Sequence, residues 1–115
     1  MTTDSILTSV KKCLSGIPAD NTEFDKDIIY SINSWFSALS QMGVGPRAGF
    51  TITSASTTWG DYSDDEFLNS MVSEYIVLKT KLTFDPPQSS STLECAKSLA
   101  AEYEWRLNVY AESGN

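Results

Sequence analysis

Cysteine and histidine are the first residues to consider, because their side chains supply many metal ligands and catalytic nucleophiles or bases. The chain has two cysteines, Cys13 and Cys95, and no histidine. The cysteines lie far apart in sequence and form no Cys-x-x-Cys pair, so no zinc site is predicted. Both fall in stretches with helical spacing, where we expect small apolar or surface thiols in a reducing compartment.

Three short motifs share part of a known signature but lack the rest of it. The Gly43–Gly49 segment is glycine-rich, yet it follows a helical stretch and lacks the Gly-Lys-Ser/Thr ending of a phosphate-binding loop. Ser9 and Lys12 form a Ser-x-x-Lys pair without the companion motifs of that enzyme class. The Asp64–Glu66 carboxylates could suggest a metal cluster, but they open a predicted helix, where negative charge favours the positive end of the helix dipole and a capping role is expected. The sequence therefore predicts no enzyme, no cofactor and no metal.

The composition is that of a single soluble globular domain spanning residues 1–115. Apolar residues make up 41% of the chain and charged residues 20%. With 15 acidic against 8 basic residues, the net charge is -7, which disfavours general binding to nucleic acid phosphates. No apolar run approaches the ~20 residues of a membrane span, and Met1 to Ile6 lack a secretory signal pattern.

Four segments have apolar residues three and four positions apart, which is the spacing of an amphipathic helix. They run from about Asp4 to Ser15, from Glu23 to Met42, from Ser63 to the Pro86-Pro87 pair, and from Ser91 to Tyr110. Two of them are about 20 residues long, so each would extend roughly 30 Å. The predicted fold is a small all-α bundle of about four helices.

Local signals mark where these helices begin and end. Gly16 followed by Pro18 is a stop signal for the first helix, and Gly43 is one for the second. The Ser63–Glu66 and Ser91–Glu94 pairs have the spacing of capping boxes, and Thr22–Asp25 has it more weakly.

Tryptophans mark two of the helix faces. Trp35 lies on the apolar stripe of the second helix and is predicted to be in the core. Trp105 is two residues off the apolar seam of the last helix. Two interpretations stay open for it: it widens the packed face, or it contacts a neighbouring molecule.

The connection from Gly43 to Tyr62 is unusually long for a compact domain. It carries Phe50, Ile52, Trp59 and Tyr62, which are too apolar for a solvated linker. Residues 50–53 alternate like a short strand and can form part of a β-hairpin. The sequence leaves two possibilities open: the connection folds back on its own bundle, or it meets another chain.

Several segments together resemble one protein family. These segments are Val44-Gly45-Pro46, the Thr57–Tyr62 stretch TTWGDY, the Lys79–Pro87 stretch KTKLTFDPP, and Glu104-Trp105-Arg106-Leu107-Asn108. In this order and spacing they resemble the head-tail connector, or adaptor, proteins of long-tailed bacteriophages and prophages. The resemblance covers nearly the whole chain.

The resemblance implies a structural virion protein at the head-tail junction, assembled in the cytoplasm of the bacterial host. It implies a ring, commonly of twelve subunits, docked below the portal protein and bound on its far side by a tail completion or stopper protein. Double-stranded genome DNA would pass through the central channel without specific binding. No catalysis, cofactor or membrane is implied.

A ring requires two different, complementary faces on each subunit. The candidates are the Gly43–Tyr62 connection and the outer surface of the last helix. The predicted subunit or portal interface residues are Arg47, Phe50, Ile52, Trp59, Tyr62 and Trp105. The alternative function is a small phage-encoded helical binding or regulatory module, which would act as a monomer or dimer and pack the connection against its own bundle.

Overall fold

A computed structural model of the chain describes residues 3–14, 17, 18 and 20–113. Within these residues the chain forms five helices: α1 (Ile6–Lys12), α2 (Asp25–Gln41), α3 (Trp59–Tyr62), α4 (Glu66–Phe84) and α5 (Ser90–Glu112). The predicted all-α bundle is confirmed. The short helix α3 is an addition that the sequence did not predict.

Helix α4 is the central element, because it packs against α1, α2 and α5. Its buried side chains recur at helical spacing, with Val72, Tyr75 and Ile76 almost fully inaccessible to solvent. They share one hydrophobic core with Ile32 of α2 and Leu107 of α5. Each such side chain contributes about 1.5–3 kcal/mol by leaving water. No helix in the described part of the chain is long and apolar enough to cross a membrane.

The first helix is shorter than the sequence predicted. Ser5 caps it, with its hydroxyl oxygen accepting a hydrogen bond from the Thr8 N–H at 3.2 Å. The predicted end at Ser15 and Gly16 lies outside the described residues.

A buried lysine ties α1 to the start of α2. The Lys11 ammonium forms an ion pair with Asp25 at 2.7 Å and donates to the Asn21 carbonyl at 3.0 Å. These contacts satisfy a charge that would otherwise be costly to bury. The two helices are thereby joined by a polar contact as well as by the core.

Helix α4 begins later than predicted, and a different residue caps it. The Asp65 carboxylate accepts hydrogen bonds from the N–H groups of Phe67 and Leu68, at 3.0 and 3.3 Å. The Ser63 hydroxyl instead accepts from the Asp65 N–H at 2.9 Å, which shapes the turn before the helix. The predicted Ser63–Glu66 capping box is therefore wrong. The Asp64–Glu66 carboxylates were expected to cap the helix and not to bind a metal, and the capping role is confirmed at Asp65.

The other two predicted caps are also displaced. Helix α2 starts after Phe24 without any side-chain cap, so the Thr22–Asp25 box is wrong. Helix α5 is capped by Ser89, whose hydroxyl accepts from the Thr92 N–H at 3.2 Å, and not by the Ser91–Glu94 pair. Neighbouring serines have similar capping preferences, so sequence alone did not select between them.

The predicted end of α2 at Gly43 is confirmed. The Val44 N–H donates to the Leu39 carbonyl at 2.9 Å, and the Gly43 N–H donates to the Ser40 carbonyl at 3.0 Å. Gly43 has φ +88°, which glycine adopts without steric cost. This is the Schellman arrangement, with Val44 and Leu39 both buried. It turns the chain back towards the bundle.

The connection after Gly43 folds back on its own bundle, which is the first of the two possibilities that the sequence left open. Asn33 of α2 holds Ile52 on both sides: its Oδ1 accepts from the Ile52 N–H at 2.8 Å, and its Nδ2 donates to the Ile52 carbonyl at 2.9 Å. These bonds take the place of a strand partner. The possible β-hairpin at residues 50–53 is wrong, because the described residues form no strand there.

The end of the connection is fixed to the start of α1. The Ile6 N–H donates to the Thr57 carbonyl at 3.0 Å, and the Trp59 N–H donates to the Asp4 carbonyl at 3.1 Å. Thr58 and Asp61 then form the capping box of α3, with the Asp61 carboxylate accepting from the Thr58 N–H at 2.9 Å. The Thr57–Tyr62 stretch therefore closes one end of the bundle.

An aromatic cluster fills the space between the connection and α2. The ring centroids of Phe36, Phe50 and Tyr62 lie 5.0 to 5.1 Å from one another, and Trp59 lies 6.4 Å from Phe36. Tilted and edge-on aromatic pairs contribute about 0.5–1.5 kcal/mol each beyond burial. The aromatic residues of the connection are therefore core residues of this fold.

Candidate interaction surfaces

The six interface residues predicted from the sequence fall into two groups. Ile52, Trp59 and Tyr62 lie in the chain's own core, with 1 to 4% of each residue exposed, and Phe50 is half-buried beside them. A partner could reach the three buried side chains only if the connection left the bundle. The idea that these three form an exposed contact face is therefore corrected. Their apolar character is explained by packing within one chain.

Arg47 and Trp105 are both exposed on the folded chain. Arg47 lies in the turn after Gly43, and the backbone of Gly43 approaches Ala111 near the end of α5. A depression lined by Pro46 and Tyr110 lies between that turn and the last turns of α5. The structure thus places Arg47 at the same end of the bundle as the last turns of α5, whereas Trp105 lies about one turn further back along the helix.

Trp105 borders an apolar groove between α4 and α5. This α4–α5 groove has a volume of about 440 Å³. It is formed by the first turns of α4 and the second half of α5. Its apolar lining comprises Phe67, Met71, Tyr103, Trp105, Val109 and Tyr110, and Ser70 and Arg106 complete its wall.

The rim of the α4–α5 groove exposes large apolar side chains. Phe67 is 66% exposed, Trp105 65% and Val109 43%. An exposed group of this kind on a small domain is typical of a binding surface. Of the two interpretations of Trp105, widening of the packed face is not supported, because most of its surface is open to solvent. Contact with a neighbouring molecule remains a prediction.

Two tyrosine–carboxylate hydrogen bonds join α4 and its cap to α5, the two helices that form this groove. The Tyr110 hydroxyl donates to Asp65 at 3.1 Å, and the Tyr75 hydroxyl donates to Glu104 at 2.9 Å. Burial, followed by the hydrogen bond to the carboxylate and its negative charge, raises the pKa of both tyrosines. Both hydroxyls therefore remain hydrogen-bond donors to a higher pH than an ordinary tyrosine would. Asp65 serves α4 as its cap and α5 as an acceptor, which fixes the groove's geometry.

A second apolar groove lies between α2 and the end of α4. This α2–α4 groove has a volume of about 430 Å³ and is lined by Asp27, Tyr30, Ser31, Ser34, Trp35, Thr83 and Phe84. Tyr30 is 77% exposed at its rim. Sequence reasoning did not single out Tyr30 as an interface residue.

Trp35, which was predicted to be in the core, forms the floor of the α2–α4 groove and is half-buried. Its ring meets that of Tyr75 edge-on, with 6.2 Å between centroids. The Lys79 ammonium lies 4.8 Å from the Trp35 centroid, which is within the range of a cation–π contact. The indole is thus held in place by α4 while part of it stays accessible.

Sequence reasoning also missed Phe67 and Val109 as surface residues. Phe67 sits at helical spacing with the buried residues of α4 and was placed on that stripe. Val109 had a usable signal, because it follows Trp105 by four positions and both lie off the packed seam of α5. Two large apolar residues four apart on an outer face indicate a second, unpartnered stripe.

The described residues contain no group of three or more acidic, cysteine or histidine side chains arranged to hold a metal ion. Cys13 and Cys95 are both exposed and unpaired with each other. The exposed side chains that stand out are instead the apolar ones of the two grooves.

Comparison with known proteins identifies the family. The family model described as phage connector protein matches residues 6–114, almost the entire chain. No curated protein and no solved structure matches the chain. The match covers all five helices, the connection and both grooves. The chain belongs to the phage connector protein family, a family of structural proteins of phage assembly, and is a component of the virion.

Proposed function

We propose that copies of this chain close into a ring below the portal vertex of the phage head. The ring gives genome DNA a passage into the tail and offers its far side to a tail completion or stopper protein. Twelve copies would match the usual symmetry of such rings. The family match over residues 6–114 is the observation that carries this proposal.

The exposed α4–α5 groove supports an assembly role. A monomer with no partner would have little reason to keep Phe67, Trp105 and Val109 open to water, since each loses the free energy that burial would provide. Aromatic residues at the centre of an interface commonly supply much of its binding energy. Trp105 is therefore the main anchor that we propose for a subunit or portal contact, and Arg47, exposed in the turn after Gly43, is proposed as a second contact outside the groove.

The charge of the chain supports passage of DNA without capture. With 15 acidic against 8 basic residues and a net charge of -7, the chain as a whole repels phosphates more than it attracts them. Weak attraction to the duplex leaves DNA free to slide through a channel. This argument concerns the whole molecule and assigns no residue to the channel wall.

The proposal is tested by measuring mass in solution for the chain alone and mixed with its portal protein. Analytical ultracentrifugation or native mass spectrometry should find a multi-subunit ring, at least in the presence of portal. Protein that stays monomeric at high concentration and never binds portal would contradict the proposal. A stable monomer or dimer with one partner other than the portal would favour the regulatory module instead.

Trp105→Ala and Leu99→Ala form a matched pair for this experiment. Both residues are exposed apolar residues on α5, but only Trp105 lines the groove. We expect Trp105→Ala to weaken assembly at least about tenfold, as loss of an interface anchor does. Leu99→Ala should assemble like the wild type. Equal behaviour of the two variants would remove Trp105 from the interface.

A further inference from the structure

We propose that the ring contact joins the α4–α5 groove of one copy to the α2–α4 groove of the next. In this contact Tyr30 of the neighbouring copy enters the α4–α5 groove, and Arg106 faces Asp27 of the neighbouring copy. The inference rests on the proposed ring, and it adds which two faces meet.

The two grooves occupy different parts of each copy. Phe67 and Met71 line one groove near the start of α4, and Phe84 lines the other at its end. At 1.5 Å per residue these positions lie about 20 to 25 Å apart along the helix. α5 closes the first groove and α2 closes the second. One molecule therefore presents both faces at once, as a head-to-tail contact requires.

The grooves match in size and in character. Their volumes are about 440 and 430 Å³, and both are mainly apolar. Each also has a projecting aromatic side chain at its rim, Trp105 on one and Tyr30 on the other, exposed by 65% and 77%. When the faces meet, each aromatic ring can fill the opposite groove. This buries on both sides the apolar surface that a single copy leaves in water.

The charges of the two grooves are complementary. Among the lining residues, Arg106 is the charged residue of the α4–α5 groove and Asp27 is that of the α2–α4 groove. Two copies of the α4–α5 groove placed together would oppose two arginines, and two copies of the α2–α4 groove would oppose two aspartates. Like charges across an interface are unfavourable, whereas the mixed pairing places Arg106 opposite Asp27. The two charged lining residues thus favour the head-to-tail arrangement over either symmetric pairing, while the Lys79 ammonium over Trp35 adds a positive charge beside the α2–α4 groove.

Arg106 can change partners at little cost. In the single chain it pairs with Glu102, four residues earlier on the exposed side of α5. Exposed pairs of this kind contribute about 0–1 kcal/mol, so the guanidinium can turn to a carboxylate on the next copy. Repetition of a head-to-tail contact gives a ring when the rotation closes.

A charge exchange tests the pairing. Arg106→Asp places two carboxylates opposite each other in the contact, and Asp27→Arg places two guanidinium groups opposite each other. Each variant alone, mixed with portal under conditions where the wild type assembles, should require at least about tenfold more protein to form the ring. An equimolar mixture of the two variants restores opposite charges at every contact when they alternate around a ring with an even number of copies, and the double variant in one chain does so in any ring. Both should assemble within about threefold of the wild type.

The outcomes separate this inference from the function on which it rests. Circular dichroism and thermal unfolding of each variant first establish that it folds, which is expected because both side chains are exposed. If the wild type assembles and either single variant assembles equally well, the pairing is overturned and the ring stands. Failure of both the mixture and the double variant to recover would also overturn the pairing, and would point to the portal as the occupant of one groove. If the wild type itself does not assemble with portal, both proposals are overturned.

Discussion

Replacement of Gly45 by alanine is the perturbation whose cost the structure defines most closely. Gly45 has φ +93°, and a Cβ built on it would lie 2.4 Å from the Tyr62 hydroxyl oxygen and 2.9 Å from the ring carbon that carries it. Tyr62 is buried and packs on Phe36 and Phe50, so its ring cannot easily move away. The substitution therefore combines a strained backbone with a steric overlap.

The two contributions can be separated by a matched control. Gly43 has a similar φ of +88°, but a Cβ there would meet only Ala111 at 3.7 Å, which is ordinary contact. Gly43→Ala should cost about 1–2 kcal/mol, the penalty of a left-handed conformation. Gly45→Ala should cost a further 1–3 kcal/mol, roughly, for overpacking. For a domain of this size we expect melting temperatures to fall by about 4–8 °C and about 8–20 °C, respectively.

A second substitution identifies the atom responsible. The Tyr62 hydroxyl oxygen is buried and has no hydrogen-bond partner among the described residues, so Tyr62→Phe alone should be nearly neutral. In the Gly45→Ala background it removes the closest contact and should recover at least about 0.5 kcal/mol. Urea unfolding followed by circular dichroism, at protein concentrations below assembly, measures all four members of the cycle. Equal costs for Gly43→Ala and Gly45→Ala, with no coupling to Tyr62, would refute the reasoning.

Three further predictions follow from single contacts. Trp59→Ala should lower the free energy of unfolding by about 3–5 kcal/mol, because its indole is fully buried, and a loss of ring assembly without this destabilisation would contradict its place in the core. Asn33→Ala should lower the free energy of unfolding by about 1–3 kcal/mol, measured by urea unfolding, because the N–H and the carbonyl of Ile52 both lose their partner. Asn33→Asp should cost less, because its carboxylate still accepts from the Ile52 N–H. Above pH 10 the unfolded chain releases its tyrosine protons while the raised pKa of Tyr75 keeps its proton in the folded chain, so stability should fall with rising pH. Tyr75→Phe should make that fall less steep, and an unchanged slope would contradict the raised pKa that burial and the Glu104 contact give Tyr75.

Much of the fold could be predicted from local patterns. Apolar spacing located the four long or medium helices, and the glycine at position 43 marked the end of α2 correctly. Such signals work because helix periodicity and positive φ depend on residues within a few positions of one another. The caps were less predictable: Ser63 and Asp65 can both accept a backbone N–H. In the structure both do so, and which of them caps α4 depends on where the turn after α3 ends.

The candidate site was predicted only in part. Trp105 was singled out because it departs from the seam of α5, and the structure leaves it exposed. Trp59 and Ile52 were assigned to the same interface, yet they lie in the core. Tyr30 and Phe67 were missed because their helices show no local sign of which side lacks a neighbour. An apolar side chain has the same preference for burial whether the covering surface comes from its own chain or from another.

The sequence by itself determined the helical class, the family and the acidic charge, since these follow from residue types, local spacing and the order of motifs. Only the tertiary structure decided that the Gly43–Tyr62 connection closes the bundle and that apolar surface remains open beside α4. The physical reason is that burial is a property of distant segments brought together. Asn33 can hold Ile52, and α4 can leave Phe67 uncovered, only once the helices have packed.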